Sequence, residues 1–350
     1  MNNILQPLNF STEPIQAARI QVKYYRRKQH GAEFSLERVF DAVRDALPAD
    51  IRADHWTCRF KSRGLLRRLL NMIEAPFHQG GISHITGDVH YLALLLSKRR
   101  TILTIHDCVS LHFTSGLSRA RILWFWYRLP LRRVGAVTTV SEFSKEELVR
   151  YAHCDPILVE VIPNPLPSGF VPWPRRPNRE VPVLLQVGTG EHNKNLNRVA
   201  EALRGIPCKL DIVGKLTDRQ KQALESNSID YTAQSGLSDQ EMIERYRNCD
   251  ILVFASTYEG FGMPIIEANA TGRPVVTSNI GPMPEVAGKA ACLVDPFDCA
   301  SIRAGVLRVI EDAGYRSHLI EEGFENVKRF QAEVIAAQYA ALYRKVCLRG

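Results

Sequence analysis

The sequence lacks several features that would place it in other classes of protein. Its eight cysteines form no C-x-x-C pair, and none is spaced with histidine in the way zinc ligands usually are. No apolar run approaches the length of a transmembrane helix, and the first residues do not show the basic and then apolar pattern of a signal peptide. Scattered cysteines of this kind are typical of a reducing compartment. We therefore expect a cytoplasmic protein, or one that is peripheral on the inner face of the plasma membrane.

Basic residues outnumber acidic ones in only one half of the chain. Residues 1–170 contain 23 Lys and Arg against 15 Asp and Glu, whereas residues 171–350 contain 22 of each. The whole excess of positive charge therefore lies in the first half, which suggests an anionic partner there, such as a membrane surface or a lipid-pyrophosphate acceptor. A nucleic acid would also fit the charge but is not the partner we expect. The alternative is that the arginines simply form a solvated surface.

Proline marks one boundary in the chain. Seven of the 19 prolines fall within residues 162–182, and because proline removes backbone donors and blocks helix formation, this segment is predicted to be an extended linker. On both sides of it, short apolar strands alternate with helical patterns, which predicts parallel sheets covered by helices. We predict an α/β protein with a first domain over 1–168, a linker over 169–182, a second domain over 183–326 and a C-terminal helix within 327–350.

The most informative motif follows the predicted strand at 251–255. It runs from Ser256 to Ala268 and places Glu259 in a glycine-rich turn and Glu267 just inside a helix. In an open α/β sheet, ligands bind where strands end and helices begin. Glycine lets the backbone approach a ligand closely, and a helix N-terminus offers unpaired N–H groups to an anion. The two carboxylates are therefore candidates for accepting hydrogen bonds from sugar or ribose hydroxyls, although a purely structural strand–turn–helix would have similar spacing.

The string from Glu259 to Glu267 resembles the E-x7-E signature of family 4 of the retaining, nucleotide-sugar-dependent glycosyltransferases, which have the two-domain GT-B fold. The resemblance covers most of the second half and is weakest before His84. It implies two Rossmann-like doubly wound domains that face each other across a cleft, with the last helix packed back on the first domain. It also implies that Glu267 binds the nucleotide ribose, and that Glu259 lies near the donor sugar together with the backbone N–H groups of Gly260, Phe261 and Gly262.

A second glycine turn follows the predicted strand at 183–187. Gly188 and Thr189 begin this turn and Lys194 lies downstream, so that backbone N–H groups and an ammonium group could offset the charge of a departing diphosphate. By the resemblance, Lys194 matches the family's phosphate-binding lysine, whereas Asn193 stands where arginine is common and Thr189 where some members have another arginine. We therefore expect a diphosphate site with fewer cations than usual. An exposed lysine at the start of a helix is the alternative interpretation.

The first half offers candidates at the ends of its predicted strands. His106 and Asp107 follow the strand at 101–105, and the family often shows a histidine at this place, near the sugar. Asp107 would orient this histidine or begin the next turn. Asp88 and His90 follow another strand and could bind acceptor hydroxyls, with a helix cap and core packing as the alternative. The candidate catalytic residues are thus His106, Lys194 and Glu259, and the acceptor side is assigned to Asp88, His90 and Asp107.

Two further segments have a predicted role. Residues 119–133 combine arginines with Trp124, Trp126 and Tyr127, as segments at an anionic membrane surface do, although the aromatic rings could instead pack in the core. At the strand-to-helix junction near 140, Ser144 and Glu147 have the spacing of a capping box.

The chain has no metal-ligand spacing and no Asp-x-Asp motif of the kind that metal-dependent glycosyltransferases use, so we expect neither a metal nor a cofactor beyond the donor substrate.

The resemblance implies a retaining transferase, and the missing metal motif fits a metal-independent one. By the same resemblance, the protein would move a hexose-type sugar such as mannose from a nucleoside diphosphate to a glycan or lipid-linked acceptor, in the biosynthesis of a surface polysaccharide. Two alternatives stay open. One is a sugar-nucleotide epimerase of similar architecture. The other is a non-catalytic partner protein that binds nucleotide or a membrane, which the missing arginines at 189 and 193 would favour and the presence of Lys194 and both glutamates argues against.

Overall fold

The computed structural model describes residues 20–28, 35–174, 181–190 and 193–349. The predicted absence of a signal peptide concerns residues that lie outside these ranges. Part of the predicted linker, residues 175–180, also lies outside them. Within the described ranges, no helix combines the length and the apolar composition that spanning a bilayer requires.

The first sheet contains six parallel strands in the order β2-β1-β3-β4-β5-β6. Its central strands are short, almost wholly buried runs, because helices cover both faces of the sheet. The strands are β1 Ile20–Arg26, β2 Ile51–Thr57, β3 Ile82–Ile85, β4 Thr101–Ile105, β5 Ala136–Thr139 and β6 Val159–Val161. The α-helices between them are α1 Ser35–Asp45, α2 Leu65–Glu74, α3 Val109–His112, α4 Gly116–Ile122, α5 Leu129–Leu131 and α6 Glu142–Ala152. A π-helical turn, Leu123–Arg128, joins α4 to α5, and short 3-10 helices cover Ala75–His78, His90–Leu94, Lys98–Arg100 and Pro156–Leu158.

The second sheet also contains six parallel strands, in the order β12-β11-β10-β7-β8-β9. Its strands are β7 Val183–Val187, β8 Lys209–Val213, β9 Asp230–Gln234, β10 Ile251–Phe254, β11 Val275–Ser278 and β12 Ala291–Val294. The helices are α7 Leu196–Leu203, α8 Asp218–Ser226, α9 Asp239–Asn248, α10 Met263–Ala270, α11 Met283–Ala287, α12 Cys299–Glu311, α13 Ala313–Asn326 and α14 Ala332–Arg349, with a 3-10 helix at Val327–Phe330 before α14. The predicted fold class, α/β with two doubly wound Rossmann-like domains facing across a cleft, is confirmed.

In each sheet the direction in which strands are added reverses once along the chain. The reversal in the second sheet positions the two sequence motifs, the glycine turn at 188 and the turn at 259. The strands β7, β8 and β9 are added in one direction, and β10 then pairs with the other side of β7. In open α/β sheets the crevice at such a reversal, outside the carboxyl ends of the strands, is where ligands bind. The two loops that border this crevice are those after β7 and after β10. These loops contain the glycine turn at 188 and the turn at 259.

The chain crosses between the domains twice. Leu166 and Phe170, near the linker, already pack in the core of the second domain. The last helix, α14, returns to the first domain, where Tyr339 and Tyr343 are buried against β1 and α1. His84 on β3 contacts this helix, with its Nδ1 2.8 Å from the hydroxyl of Tyr343. His84 is therefore a buried structural residue.

The predicted capping box of Ser144 and Glu147 is wrong. The N-cap of α6 is Ser141, whose side-chain oxygen accepts a hydrogen bond from the backbone N–H of Ser144 at 3.1 Å. Glu147 instead accepts a hydrogen bond from the hydroxyl of Tyr258 at 2.6 Å. A carboxylate that sequence spacing assigned to helix capping therefore connects the two domains.

The turn around Gly260 forms the joint between the domains. Its carbonyl oxygen accepts hydrogen bonds from the hydroxyls of Ser141 at 2.8 Å and Ser144 at 3.1 Å, both from the first domain. A Cβ on Gly260 would overlap the carbonyl oxygen of His106 and would lie 2.8 Å from the Cβ of Asp107. The close approach of the two domains therefore requires glycine at this position.

The structure predicts that Gly260→Ala opens this joint. Overlap with backbone atoms cannot be relieved by a rotamer change, and overpacking of this kind costs about 1–3 kcal/mol. We expect the variant to have a larger radius of gyration by small-angle X-ray scattering and a lower midpoint of thermal unfolding. Gly80→Ala is the matched control, because a Cβ there meets no atom within 4 Å. Equal scattering curves for the parent and Gly260→Ala would contradict this account of the joint.

Candidate active site

A cleft of about 1470 Å³ separates the two domains and contains most of the predicted site. The first domain contributes His106 and Asp107 to its lining. The second domain contributes the other predicted residues that line it, which are Lys194, Glu259, Gly260, Phe261, Gly262 and Glu267. The cleft thus brings together residues from three loops, after β4, β7 and β10, and from helix α10.

Lys194 and Glu259 form an ion pair at the strand reversal of the second sheet. The Nζ atom of Lys194 lies 2.7 Å from Oε1 of Glu259, and both side chains are largely buried. The same Nζ lies 4.9 Å from the centroid of the Phe254 ring. Charges in such a place interact strongly, because water is mostly excluded from around them. Each of the two residues predicted to bind the donor therefore neutralises the other.

Gly188 allows this lysine to reach its position. Its φ angle is +89°, a conformation that favours glycine, and the Lys194 side chain crosses directly over it. A Cβ at this position would lie 2.8 Å from Cε of Lys194. Gly188 thus leaves room for the Lys194 side chain and does not itself line the cleft.

Thr189 was also predicted to bind the donor, but its side chain makes a hydrogen bond within its own domain. Its hydroxyl donates a hydrogen bond to the carbonyl of Lys215 at 2.7 Å, and its own carbonyl accepts one from Nε2 of Gln220 at 2.9 Å. These bonds connect the turn after β7 to the start of α8. The structure does not bring Thr189 into the lining of the cleft.

Asn193 stands where the family commonly has arginine, and it connects the two motif loops. Its side-chain Nδ2 donates to the carbonyl of Tyr258 at 3.0 Å, and its own carbonyl accepts a hydrogen bond from the N–H of Thr257 at 2.8 Å. Asn193 therefore holds the two motif loops together. Arg27 and Arg38 of the first domain also line the cleft and add positive charge to it.

Glu267 lies in the middle of α10, past its first turn, with one carboxylate oxygen already engaged. The hydroxyl of Tyr246 donates to its Oε2 at 2.6 Å. Burial raises the pKa of Glu267 to about 6, an effect that the hydrogen bond from Tyr246 and the positive charges of Arg38 and Lys194 offset in part. The carboxyl group is consequently ionised at pH 7 but close to its titration range.

His106 has a defined tautomer. Its Nε2 lies 3.0 Å from the carbonyl oxygen of Thr86, which only accepts hydrogen bonds, so Nε2 carries the proton and Nδ1 the lone pair. Burial lowers the pKa of His106 to about 4, so the ring is neutral at pH 7. Among the residues that the structure describes, none donates a hydrogen bond to the buried Nδ1. An unsatisfied acceptor of this kind is costly, and a ligand hydroxyl could satisfy it.

Asp107 lies where the cleft meets a second, smaller cavity. Its Oδ1 accepts a hydrogen bond from the N–H of Val109 at 2.9 Å, so it does begin the turn into α3. Burial raises the pKa of Asp107 to about 6. It lines both spaces together with His106 and Arg27.

The second cavity, of about 390 Å³, contains the remaining acceptor-side candidates. Asp88 accepts a hydrogen bond from Nε1 of Trp126 at 2.6 Å, and Nδ1 of His90 donates to the carbonyl of Trp126 at 2.9 Å. Asp88 does not cap a helix: the 3-10 helix His90–Leu94 begins after Val89 and has no side-chain cap. Asp88 and His90 therefore line a space next to the cleft.

Sequence reasoning missed several residues of the site. Trp126 and Tyr127 line the small cavity, whereas for their segment the sequence suggested either a membrane contact or packing in the core. Tyr258 lies next to Glu259 and accepts a hydrogen bond from the N–H of Cys108 across the domain boundary at 3.1 Å. Arg38 of α1 forms an ion pair with Asp239 of α9 across the cleft. No sequence signal marked these cross-domain pairs.

Comparison with known proteins finds a glycosyltransferase family for each half of the chain. The family described as "Glycosyl transferases group 1" matches residues 171–326, and "Glycosyltransferase Family 4" matches residues 31–168. O-antigen chain mannosyltransferase B of Escherichia coli is 26% identical over 277 residues, which cover 70% of each chain. O-antigen chain mannosyltransferase RfbU of Salmonella typhimurium is 25% identical over 260 residues, which cover 71% of each chain.

Solved structures share the fold over nearly the whole chain. Sucrose-phosphate synthase from Thermosynechococcus elongatus superposes with a TM-score of 0.76 at 16% identity, covering 95% of this chain and all of that one. Alr3699/HepE of Anabaena, solved in complex with UDP and glucose, gives a TM-score of 0.74 at 18% identity, covering 93% of this chain and all of that one. At these identities the likeness concerns the fold alone. With both halves matched by family models and the fold shared, the chain belongs to the family-4-type glycosyltransferases with the GT-B fold.

Proposed function

We propose that this glycosyltransferase is a retaining enzyme that transfers a hexosyl group from a nucleoside diphosphate to a hydroxyl of a glycan or lipid-linked acceptor. The observation that carries the proposal is the placement of Lys194, Glu259 and Glu267 together at the strand reversal of the second sheet, inside the interdomain cleft. We take mannose as the first candidate sugar and surface polysaccharide as the pathway, because the relatives named above are O-antigen mannosyltransferases.

Lys194 is the proposed diphosphate ligand. A diphosphate that binds its Nζ must compete with Glu259, which now lies 2.7 Å away. Since the diphosphate carries more charge than one carboxylate, we expect it to displace Glu259 and leave that side chain to accept hydrogen bonds from the donor sugar. Donor binding would thus place the lysine and the glutamate in their working positions in one step.

The proposed reaction balances with the donor and acceptor alone. The bond from the anomeric carbon to the diphosphate breaks, and the acceptor oxygen bonds to the same face of the sugar. The proton of the acceptor hydroxyl passes to an oxygen of the departing diphosphate. Lys194 and the N–H groups at the start of α10 would stabilise the growing negative charge, so we also propose that no metal ion is needed.

His106 and Asp107 would act beside the reacting carbon. A neutral His106, with its proton fixed on Nε2 by Thr86, can accept a hydrogen bond from a sugar hydroxyl but cannot supply a proton at pH 7. Asp107, together with Asp88 and His90 of the small cavity, would bind the acceptor. The acceptor would therefore approach the donor sugar from the small cavity.

An epimerase of similar architecture would also bind a nucleotide sugar in such a cleft. The products distinguish the two activities. A transferase releases free nucleoside diphosphate and attaches the sugar to the acceptor, whereas an epimerase returns an isomeric nucleotide sugar. A donor panel with both products analysed decides between them, and nuclear magnetic resonance of the new glycosidic bond shows whether the anomeric configuration is retained.

Replacing Lys194 tests the role of the cation. Its charge should matter most as negative charge builds on the departing diphosphate, so we expect Lys194→Ala to lower kcat by about 100- to 1000-fold, the range seen when one such stabilising donor is removed. Affinity for the nucleoside without phosphates should stay the same. Lys221→Ala, an exposed lysine on α8, serves as the control. Unchanged kcat in Lys194→Ala would show that Arg27, Arg38 or a metal ion neutralises the diphosphate instead.

The raised pKa of Glu267 gives a pH prediction. The ionised carboxylate is the form that accepts ribose hydrogen bonds, so nucleotide affinity should be full well above pH 6 and should fall as the pH drops through about 6. Calorimetry of the parent and of Glu267→Gln across this range separates the effect from titration of the nucleotide, which both proteins share. Glu267→Gln should bind more weakly at pH 8, by about ten- to a hundredfold, as expected for a charged hydrogen bond of about 1.5–3 kcal/mol. Parallel pH profiles for the two proteins would remove Glu267 from the ribose site.

A further inference from the structure

Helix α2 and the 3-10 turn after it expose most of their apolar side chains to solvent, whereas Met72 and Ala75 pack in the core of the domain. Phe77, Leu65 and Leu66 are 84%, 75% and 71% exposed, and Leu69, Leu70 and Ile73 are also exposed. At 100° per residue, the five aliphatic positions of α2 form one stripe about 140° wide. A contiguous exposed apolar surface of this size marks an interaction site in a stable protein.

The opposite side of α2 is fixed to the domain by polar contacts. Asn71, the buried residue of the helix, accepts a hydrogen bond from the N–H of Phe60 at 3.0 Å and donates one to the carbonyl of Phe60 at 2.8 Å. The guanidinium of Arg68 lies 4.9 Å from the centroid of the Trp126 ring. The helix is thus held with its apolar stripe outward, the reverse of the usual orientation of a surface helix.

The charge around the stripe indicates what covers it. Residues 59–78 contain five basic residues and one acidic residue, Glu74. Four of the basic side chains, Arg59, Lys61, Arg63 and Arg67, are exposed. An exposed apolar stripe bordered by cations matches a lipid surface, where acyl chains lie beneath anionic headgroups. A second copy of the chain would instead bring these like charges together.

We propose that the stripe of α2 seats the first domain on a bilayer that contains anionic lipid. Arg68, on the side of α2 opposite the stripe, lines the small cavity together with Asp88 and His90. Resting on the proposed function, the contact would hold the acceptor-side cavity behind α2, about one helix diameter from the bilayer on which a lipid-linked acceptor is presented. The occupant of the stripe is therefore the bilayer that carries the acceptor.

The predicted membrane segment 119–133 fits this role less well. Arg119 lies over the Tyr151 ring at 5.2 Å, Arg132 over the Trp124 ring at 5.3 Å, and Arg133 donates to the carbonyl of Leu94 at 3.3 Å. These arginines are engaged within the domain. We therefore assign the main contact to α2 and expect only a minor contribution from 119–133.

Cosedimentation of the full chain with vesicles tests the proposal. We expect binding to phosphatidylcholine vesicles that contain phosphatidylglycerol, little binding to phosphatidylcholine alone, and loss of binding as salt rises, because charge attraction is screened over about 8–10 Å at physiological ionic strength. The triple variant Leu66→Gln, Ile73→Gln and Phe77→Gln should bind at least about tenfold more weakly, since each apolar side chain buried in the interface contributes to affinity.

Matched variants keep the test specific. Ile157→Gln with Leu158→Gln removes exposed apolar side chains elsewhere on the first domain and should leave binding unchanged. The quadruple change of Arg119, Arg121, Arg132 and Arg133 to Gln should have a smaller effect than the α2 variant. Because the three positions changed, two in α2 and Phe77 in the 3-10 turn after it, are all exposed, circular dichroism should show that the variant is folded.

Three results would overturn the proposal. These are no cosedimentation with anionic vesicles at low salt, equal binding by the α2 variant and the parent, and a parent dimer in light scattering that the α2 variant abolishes. Transfer to a water-soluble acceptor, measured without vesicles, separates this proposal from the proposed function. Intact transfer without vesicle binding defeats only the membrane contact, whereas vesicle binding without any transfer defeats the proposed function and leaves the membrane contact standing.

Discussion

The hydrogen bonds that the carbonyl of Gly260 accepts from Ser141 and Ser144 determine how the cleft is assembled. They hold the turn that contains Glu259 against the strand end that contains His106 and Asp107, with no room between them for a side chain. The hydroxyl of Tyr258 strengthens the same joint through Glu147. Because Glu259 and the domain joint share one turn, any opening of the domains also moves Glu259 away from His106. Under the proposed function, in which Glu259 binds the donor sugar, donor binding and domain closure would be coupled through three consecutive residues, 258–260.

Much of the second domain could be predicted because its strands are short apolar runs that end at recognisable turns. The glycine turn before Lys194 and the turn at Glu259 each follow such a strand, and the doubly wound topology brings them together without further information. The membership of the family and the fold class followed from these motifs. In the first domain, the strands that contain only buried residues, such as β4, were predicted for the same reason.

The elements that sequence reasoning missed lack that signal. Strand β2 includes the exposed residues Asp54 and His55, and β9 at the edge of the second sheet is mostly exposed, so neither is an apolar run. Helix α2 turns its apolar face away from the core, which no periodicity can reveal. The pairs that complete the site join residues far apart in sequence, as Ser141 and Gly260 do, and depend on how two domains meet. For Ser144 and Glu147 the spacing does fit a capping box, but the prediction is wrong because Glu147 accepts a hydrogen bond from Tyr258 of the other domain.

The central claim of this account is that the Lys194–Glu259 ion pair occupies the place where the donor diphosphate binds. A crystal structure with a nucleoside diphosphate bound tests it most directly. The account predicts a diphosphate oxygen within hydrogen-bonding distance of Nζ of Lys194, a ribose hydroxyl on Glu267, and a Lys194–Glu259 separation longer than the present 2.7 Å. A diphosphate bound elsewhere in the cleft, with the ion pair intact, would contradict it.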